Sequence, residues 1–366
     1  MESRLIKELF SNSIDGIIGY ISPPLQAYSK MVDKNNTMLF NKVDFIQQSI
    51  DPKLIHFDEL ALQLYSYQLK HNHLLHQYAA LTNDKTIIKS VNDCRFLPIS
   101  FFKQYEVKSG NFQPQTIYTS STTSGGTPSK HFVADIEIYN KSYLTAFQQF
   151  YGPTNQYVFL CLLPNYLERK GSSLIDMAQG LIEASKQPES GFYLYNFEKL
   201  AQTIQQLLKE KKRIFLLGVT FALLDFAEQF ALDLKDTIVM ETGGMKGRRA
   251  EKTRFEVHDY LKEKFQVQQI HSEYGMTELL SQAYARCDGL FTCAPWMKVV
   301  ITDLNDPFTI MPTGKAGIIN VIDLANIDSC AFIQTQDLGR LLTDGTFEVL
   351  GRIDNSEVRG CNLMYV

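Results

Sequence analysis

An α/β protein is what the sequence predicts, and three patterns along the chain carry that expectation. Between Thr116 and Gly275 short β-rich runs alternate with amphipathic stretches. Strand alternating with helix marks an open α/β sheet that receives ligands at the carboxyl ends of its strands. Before this, residues 1 to about 110 space apolar side chains three and four apart, as at Ala61, Leu62, Tyr65 and Leu69, which predicts a helical lead-in. After about residue 290 the helical period vanishes, and short strands between Gly and Asp turns predict a small β subdomain or distorted barrel packed on the α/β part. The expected organisation is one core with three subregions, 1–110, 111–290 and 291–366.

Each element follows from its own text. TIYT (116–119), YVFLCLL (157–163), RIFLLGV (213–219), TIVM (237–240) and QQIHSEYG (268–275) are the strand runs of the middle subregion. Helical stretches begin after the first four of them, at Asp135, Ser173, Phe221 and Arg248. The last subregion offers MKVVIT (297–302), AGIINVIDL (316–324), SCAFIQT (329–335) and TFEVLG (346–351). No internal repeat, low-complexity tract or interdomain linker interrupts the series.

Composition narrows the function. With 36 Lys and Arg against 40 Asp and Glu the charge is too balanced to grip a polyphosphate backbone, so no nucleic-acid partner is expected. Six Cys without a C-x-x-C pair fit free thiols in a reducing compartment, and the cytoplasm is the expected location. No run of about eighteen apolar residues is present and Glu2, Arg4, Lys7 and Glu8 break up the N-terminus, so neither membrane insertion nor a signal peptide is expected. His71, His73 and His76 form an H-x-H-x-x-H in which only His73 and His76 share a helical face, with no acidic or thiol partner at a matching spacing; a solvated face is the expectation.

The densest chemical signal is the loop from Tyr118 to His131. Ser120, Ser121, Thr122, Thr123, Ser124 and Gly125 offer hydroxyls and unpaired backbone N–H groups, and Lys130 adds one cation, a set suited to a polyphosphate and equally consistent with a solvated loop. It does not match the Walker A spacing. Three further segments follow in order. Glu241-Thr-Gly-Gly-Met245 ends a strand run with paired Gly243 and Gly244, His271-Ser-Glu-Tyr-Gly-Met-Thr-Glu278 ends another, and Gln336-Asp-Leu-Gly-Arg340 precedes Gly351-Arg-Ile-Asp-Asn-Ser-Glu-Val-Arg-Gly360.

Together these segments resemble the ordered motifs of the adenylate-forming enzyme superfamily, which joins a carboxylate to the α-phosphate of ATP. The hydroxyl-rich loop is similar to T-S-G-[ST]-T-G-x-P-K, with Thr122 where that loop has Gly. Tyr274 to Glu278 match Y-G-x-T-E, Thr335 to Asp337 resemble T-G-D, and Gly351 to Gly360 resemble the hinge. Within the superfamily the chain is most similar to the LuxE-like acyl-protein synthetases, whose G-R-x-D-x-S-x-x-R-G-C-N-L-M is reproduced from Gly351 to Met364. The resemblance spans about residues 90 to 366.

What it implies is the large N-terminal domain of an adenylate-forming enzyme, with helices on sheets plus a small β subdomain. The chain ends six residues after Gly360, so the mobile C-terminal domain with its lysine is expected to be missing. ATP and Mg²⁺ are the implied cofactors. Loop residues 120–125, Gly243, Gly244, Tyr274, Gly275, Asp337 and Arg352 would hold the nucleotide, with Tyr274 on adenine and Asp337 on the ribose. Thr277 and Lys130 would serve the phosphates and Glu278 the metal. Cys361, beside Arg359 and Gly360, would take the acyl group as a thioester before a partner such as an acyl reductase or carrier protein receives it. A fatty acid is the implied substrate. An acyl-CoA or acyl-carrier-protein ligase and a catalytically degenerate binding subunit are the alternatives.

Overall fold

The computed structural model describes residues 40–353 apart from 83–86, 122–126, 165–170 and 244–251. All elements below lie in the unit that begins at Lys42. The lead-in forms α1 (Lys42–Ser49), α2 (Phe57–His71), α3 (His73–Thr82) and α4 (Phe101–Gln104), with the short strand β1 (Leu97–Pro98) before α4. The buried stripe of α2 runs through Leu60, Ala61, Leu64, Tyr65 and Gln68, so Leu62 and Leu69 sit at its margin and a glutamine takes an apolar place. Gln68 is there because its amide nitrogen donates to the carbonyls of Asn326 and Ile327, both at 2.9 Å, while its carbonyl accepts from Ala331 N–H. A buried amide is tolerated when each polar end has a partner.

The middle subregion opens with a hairpin, β2 (Thr116–Thr119) and β3 (Lys130–Val133), in which Tyr118 faces His131. α5 (Ile136–Tyr151), β4 (Val158–Leu162), α6 (Ser173–Ser185), β5 (Gly191–Phe192), α7 (Phe197–Lys209), β6 (Ile214–Val219), α8 (Thr220–Gln229), β7 (Ile238–Thr242), α9 (Arg254–Phe265) and β8 (His271–Tyr274) follow. Strands β5, β4, β6, β7 and β8 lie side by side, all parallel. Every residue of β4 and β6 is buried, as expected of parallel strands covered on both faces. The helices start where side chains replace missing backbone partners: Asp135, Ser172 and Asn196 each accept an N–H of the first turn, and Thr253 with Glu256 forms a capping box.

The β-rich remainder comprises β9 (Ala283–Ala285), β10 (Leu290–Cys293), β11 (Met297–Thr302), β12 (Ala316–Asp323), β13 (Phe332–Leu341) and β14 (Phe347–Arg352). These strands are joined edge to edge to the parallel set, where a layer packed on it was expected. β9 pairs antiparallel with β8, β10 with β9, and β14 with β10, after which β13, β12 and β11 complete one continuous ladder. The physical reason is β10, whose two edges accept β9 on one side and β14 on the other. β1 adds itself in parallel to β13, Leu97 opposite Ile333.

One glycine fixes the hairpin. Gly171 adopts φ +81°, its carbonyl accepts from Thr119 N–H at 2.7 Å, and a Cβ there would stand 2.6 Å from the carbonyl oxygen of Ile117. Gly110 has a similar φ of +91° in open space. Gly110→Ala is therefore expected to cost only backbone strain, about 1 kcal/mol, and Gly171→Ala clearly more, about 2–3 kcal/mol. Urea unfolding of the two variants checks the order.

Candidate active site

Those expected site residues that are described come together at the carboxyl ends of β7 and β8, between the β2–β3 hairpin and the β13–β14 pair. At the base of the hydroxyl-rich loop, Ser120 N–H donates to the Ser129 carbonyl at 3.1 Å and Ser129 N–H to Ser120 Oγ at 2.9 Å, closing the hairpin neck. Ser121 and Lys130 are exposed. Thr122, Thr123, Ser124, Gly125 and Gly244 lie outside the described residues, as does Cys361.

The Thr277–Glu278 turn is seized by three buried side chains. His131 Nδ1 lies 2.8 Å from the Thr277 carbonyl oxygen and Nε2 lies 3.0 Å from Asn326 Oδ1. Asn326 Nδ2 donates to the Glu278 carbonyl at 2.8 Å. Asp323 accepts Leu280 N–H at 2.7 Å and Ser281 Oγ at 2.5 Å. Burial lowers the His131 imidazole to about 4, against two hydrogen-bonding contacts that favour its protonation. The Glu278 carboxyl is buried and raised by that burial, with the Ser129 hydroxyl and the charges of Arg352 and Lys103 pulling it back.

Across the site, Tyr274 OH donates to Asp337 Oδ2 at 2.9 Å. Its ring is buried edge-on against Phe291 and Phe347, the packing of a core aromatic. Tyr274 thus reaches the site through its hydroxyl. Asp337 N–H donates to Thr335 Oγ1 at 3.0 Å, and Arg352 stands opposite Asp337 in the β13–β14 register. Burial raises the Asp337 carboxyl, and the Tyr274 hydroxyl, Arg352 and Arg254 oppose the rise.

Several residues that no motif singled out line the same strand ends. Thr220 Oγ1 donates to Glu241 Oε2 at 2.9 Å and to the Gly243 carbonyl at 2.7 Å, where Gly243 takes φ +72°. Glu241 is held by Arg254 Nε at 3.5 Å and His258 Nε2 at 3.6 Å. Burial would raise its carboxyl, but His258 and Arg254 outweigh burial and leave it below the usual range. Its neighbour Glu273 accepts from the Thr242 hydroxyl and is pushed up to about 7, chiefly by burial and further by Glu241. A Cβ at Gly275 would collide with the Glu273 carboxylate, which would have to move aside. Glu241 stands in the text as an acid ending the apolar run TIVM, but Glu273 follows His271 and Ser272 and ends none, and nothing in the sequence pairs the two strand ends.

Among the described residues no three His, Cys, Asp or Glu side chains converge as a metal cage. The Ser129 hydroxyl is fully buried and, among the described residues, makes no well-formed hydrogen bond; its weak contact is with Glu278. One buried carboxylate with an unfilled hydroxyl suits a cation that arrives with most of its oxygen ligands on a phosphate, as Mg²⁺ does.

The fold is that of the adenylate-forming enzymes. Solved structures similar to the chain include ATP-bound MatB from Rhodopseudomonas palustris (TM-score 0.50, 16% identity, covering 64% of this chain and 47% of that one). They also include 2-hydroxyisobutyryl-CoA ligase in complex with 2-HIB-AMP and CoA (TM-score 0.57, 14% identity, 80% and 73%). At these identities the likeness is one of fold, and the chain spans about half the length of MatB. The family model "Acyl-protein synthetase, LuxE" matches residues 189–365, a little under half of the chain. No curated protein matches the chain by sequence.

Glu273 gives the site a pH signature. A carboxyl whose folded value lies near 7 against an ordinary value near 4.5 binds its proton more tightly in the folded state, so its contribution to stability is full below about pH 4.5 and declines as pH rises through 7. Glu273→Gln keeps the neutral form at every pH. Relative to wild type the variant is expected to gain on the order of 1–3 kcal/mol between pH 5 and pH 8. Thermal or denaturant unfolding at the two pH values measures it, and parallel curves for the two proteins would refute the assignment.

Proposed function

We propose that this protein activates a carboxylic acid, of the fatty-acid class, as its acyl-adenylate and then passes the acyl group to a thiol. The single observation that supports this best is the convergence of segments far apart in sequence: the neck of the 120–129 loop, the Thr277–Glu278 turn, and Asp337 facing Arg352. The similar structures, MatB with bound ATP and 2-hydroxyisobutyryl-CoA ligase with an adenylate and CoA, support the same chemistry.

A carboxylate oxygen attacks the α-phosphorus of ATP, the bond from that phosphorus to the β-phosphate oxygen breaks, and pyrophosphate leaves. The chain's part is positioning and charge stabilisation. Asp337, with Oδ2 held by Tyr274, accepts from the ribose hydroxyls, and Arg352 and Lys130 bring positive charge to the phosphates. Loop residues 120–125 and Gly243 and Gly244 line the nucleotide with backbone N–H groups and hydroxyls. Tyr274 and Gly275 shape the adenine end, and Thr277 meets the α-phosphate. Glu278 and Ser129 would hold Mg²⁺, which supplies counter-charge for the phosphates when bound. In the second half the Cys361 thiolate attacks the acyl carbonyl carbon, the acyl–phosphate oxygen bond breaks, and AMP leaves. An acyl-accepting protein in the cytoplasm then takes the acyl group from the thioester.

ATP–pyrophosphate exchange over short, long and aromatic carboxylates tests the first half, and absence of exchange with every acid would sink it. Glu278→Gln and Asp337→Ala are each expected to cut the exchange about 10²-fold with the fold retained, the usual scale for losing one charge-stabilising contact. Cys361→Ser should still form the adenylate but accumulate no hydroxylamine-labile acyl-protein, since a serine hydroxyl stays protonated at neutral pH without an adjacent base. Equal labelling of wild type and Cys361→Ser would move the acceptor to coenzyme A, a carrier protein or another cysteine.

A further inference from the structure

We infer that His131 is a positioning residue, clamping the Thr277–Glu278 turn against the hairpin that carries the hydroxyl-rich loop. This deepens the adenylation chemistry proposed above and rests on it. His131 is 1% exposed, on the strand that leaves the loop, one residue after Lys130 and two after Ser129. Its ring touches the turn twice, directly at the Thr277 carbonyl and through Asn326 at the Glu278 carbonyl.

Nothing in this arrangement is slack. Tyr118 pairs with His131 across the hairpin, and Phe102 of α4 meets the imidazole edge-on with centroids 5.9 Å apart, fixing the ring plane. Asn326 is held by its own backbone: its N–H donates to the Asp323 carbonyl at 3.0 Å and its carbonyl accepts from Gln68. Its amide orientation is set by the Glu278 carbonyl, which can only accept, so Oδ1 must face the ring.

A neutral imidazole carries one N–H, and both of its nitrogens face oxygen. Both oxygens can only accept, so a neutral ring donates to one of them at a time, and the clamp inferred here is the tautomer with its proton on Nδ1, toward the shorter Thr277 contact. Thr277 and Glu278 are thereby set at a fixed distance from Ser129 and the loop neck. An aliphatic side chain at 131 would fill the space, leave the Thr277 carbonyl to find another donor and remove the ring that faces Asn326, so the chemistry of the side chain matters here as well as its bulk.

The test uses His131→Ala, His131→Asn and His131→Gln in the full chain. Asparagine places an N–H where Nδ1 was, and glutamine places one where Nε2 was. In pyrophosphate exchange, Ala is expected to lower kcat at least tenfold while KM for ATP and for the carboxylate moves less than threefold. Asn is expected to restore most of that loss and Gln much less. A kcat within threefold of wild type in the Ala variant, a change confined to KM, or an Asn variant no better than Ala would overturn the inference.

A second readout stands apart from activity. Amide hydrogen exchange across 275–282 should quicken in His131→Ala while β4 and β6 keep their protection. Unchanged exchange over that stretch overturns the clamp even if the wild-type enzyme turns out to activate no carboxylate. Loss of pyrophosphate exchange in wild type with faster hydrogen exchange in the Ala variant would instead refute the adenylation chemistry and leave the clamp standing.

Discussion

The rest of the site depends on the buried carboxylate of Asp323. Fully enclosed at the end of β12, it accepts the Leu280 N–H, the Ser281 hydroxyl and the Ala325 N–H, and burial nonetheless pushes it up to about 6. A charge taken from water is costly unless several donors surround it, and here the donors are the backbone and side chain of the turn that must be held. The Ser281 hydroxyl continues the network to Ser142 of α5, which receives the indole N–H of Trp296 at 2.9 Å. One acid thereby fixes a turn, a helix and the entry to β11 relative to one another.

From that anchor the Thr277–Glu278 side and the Asp337 side of the site are assembled by different means. The Thr277–Glu278 side is a polar seam, where the buried side chains of His131, Asn326 and Asp323 meet carbonyls and N–H groups. The Asp337 side is an aromatic wall, with Phe291 and Phe347 stacked at 5.4 Å and Tyr274 wedged against both, so that one hydroxyl emerges at a defined point to meet Asp337. Rigid packing on one side and directed hydrogen bonds on the other give two kinds of precision within one cleft. Carboxylates in three electrostatic settings line it: Glu241 beside Arg254 and His258, Glu273 desolvated next to it, and Glu278 buried against the Ser129 hydroxyl.

Much of this was legible in the text. Uninterrupted apolar runs such as IFLLGV can only be buried strands, and their alternation with capped helices fixes the parallel set. The Tyr274–Glu278 segment and the Asp337 segment announced themselves by residue type and order. Asn326 and Gln68 did not, because a lone amide in an apolar neighbourhood carries no period and acquires meaning only when the carbonyls it satisfies are known. The same holds for the pairing of β10 with β14, whose partners Leu290 and Glu348 are chosen by three-dimensional closure and not by any local propensity. His131 was visible within the loop motif, but its two partners come from 146 and 195 residues further along.

The docking of α2 and β1 onto the far end of the chain bears on how the protein is made. Gln68 and Asn72 find their partners at residues 326 to 331, and Leu97 pairs with Ile333. During synthesis the early helices therefore emerge with buried-class amides and a strand edge unsatisfied, and they remain so until more than two hundred further residues have left the ribosome. Contacts of such sequence separation are slow to close because the intervening loop must lose its freedom first. The parallel strands, whose partners lie nearer in sequence, can assemble meanwhile. Completion of the site and burial of the lead-in helices are consequently a single late event, so a nascent chain stalled before the 323–326 turn holds neither a finished cleft nor a covered N-terminal face.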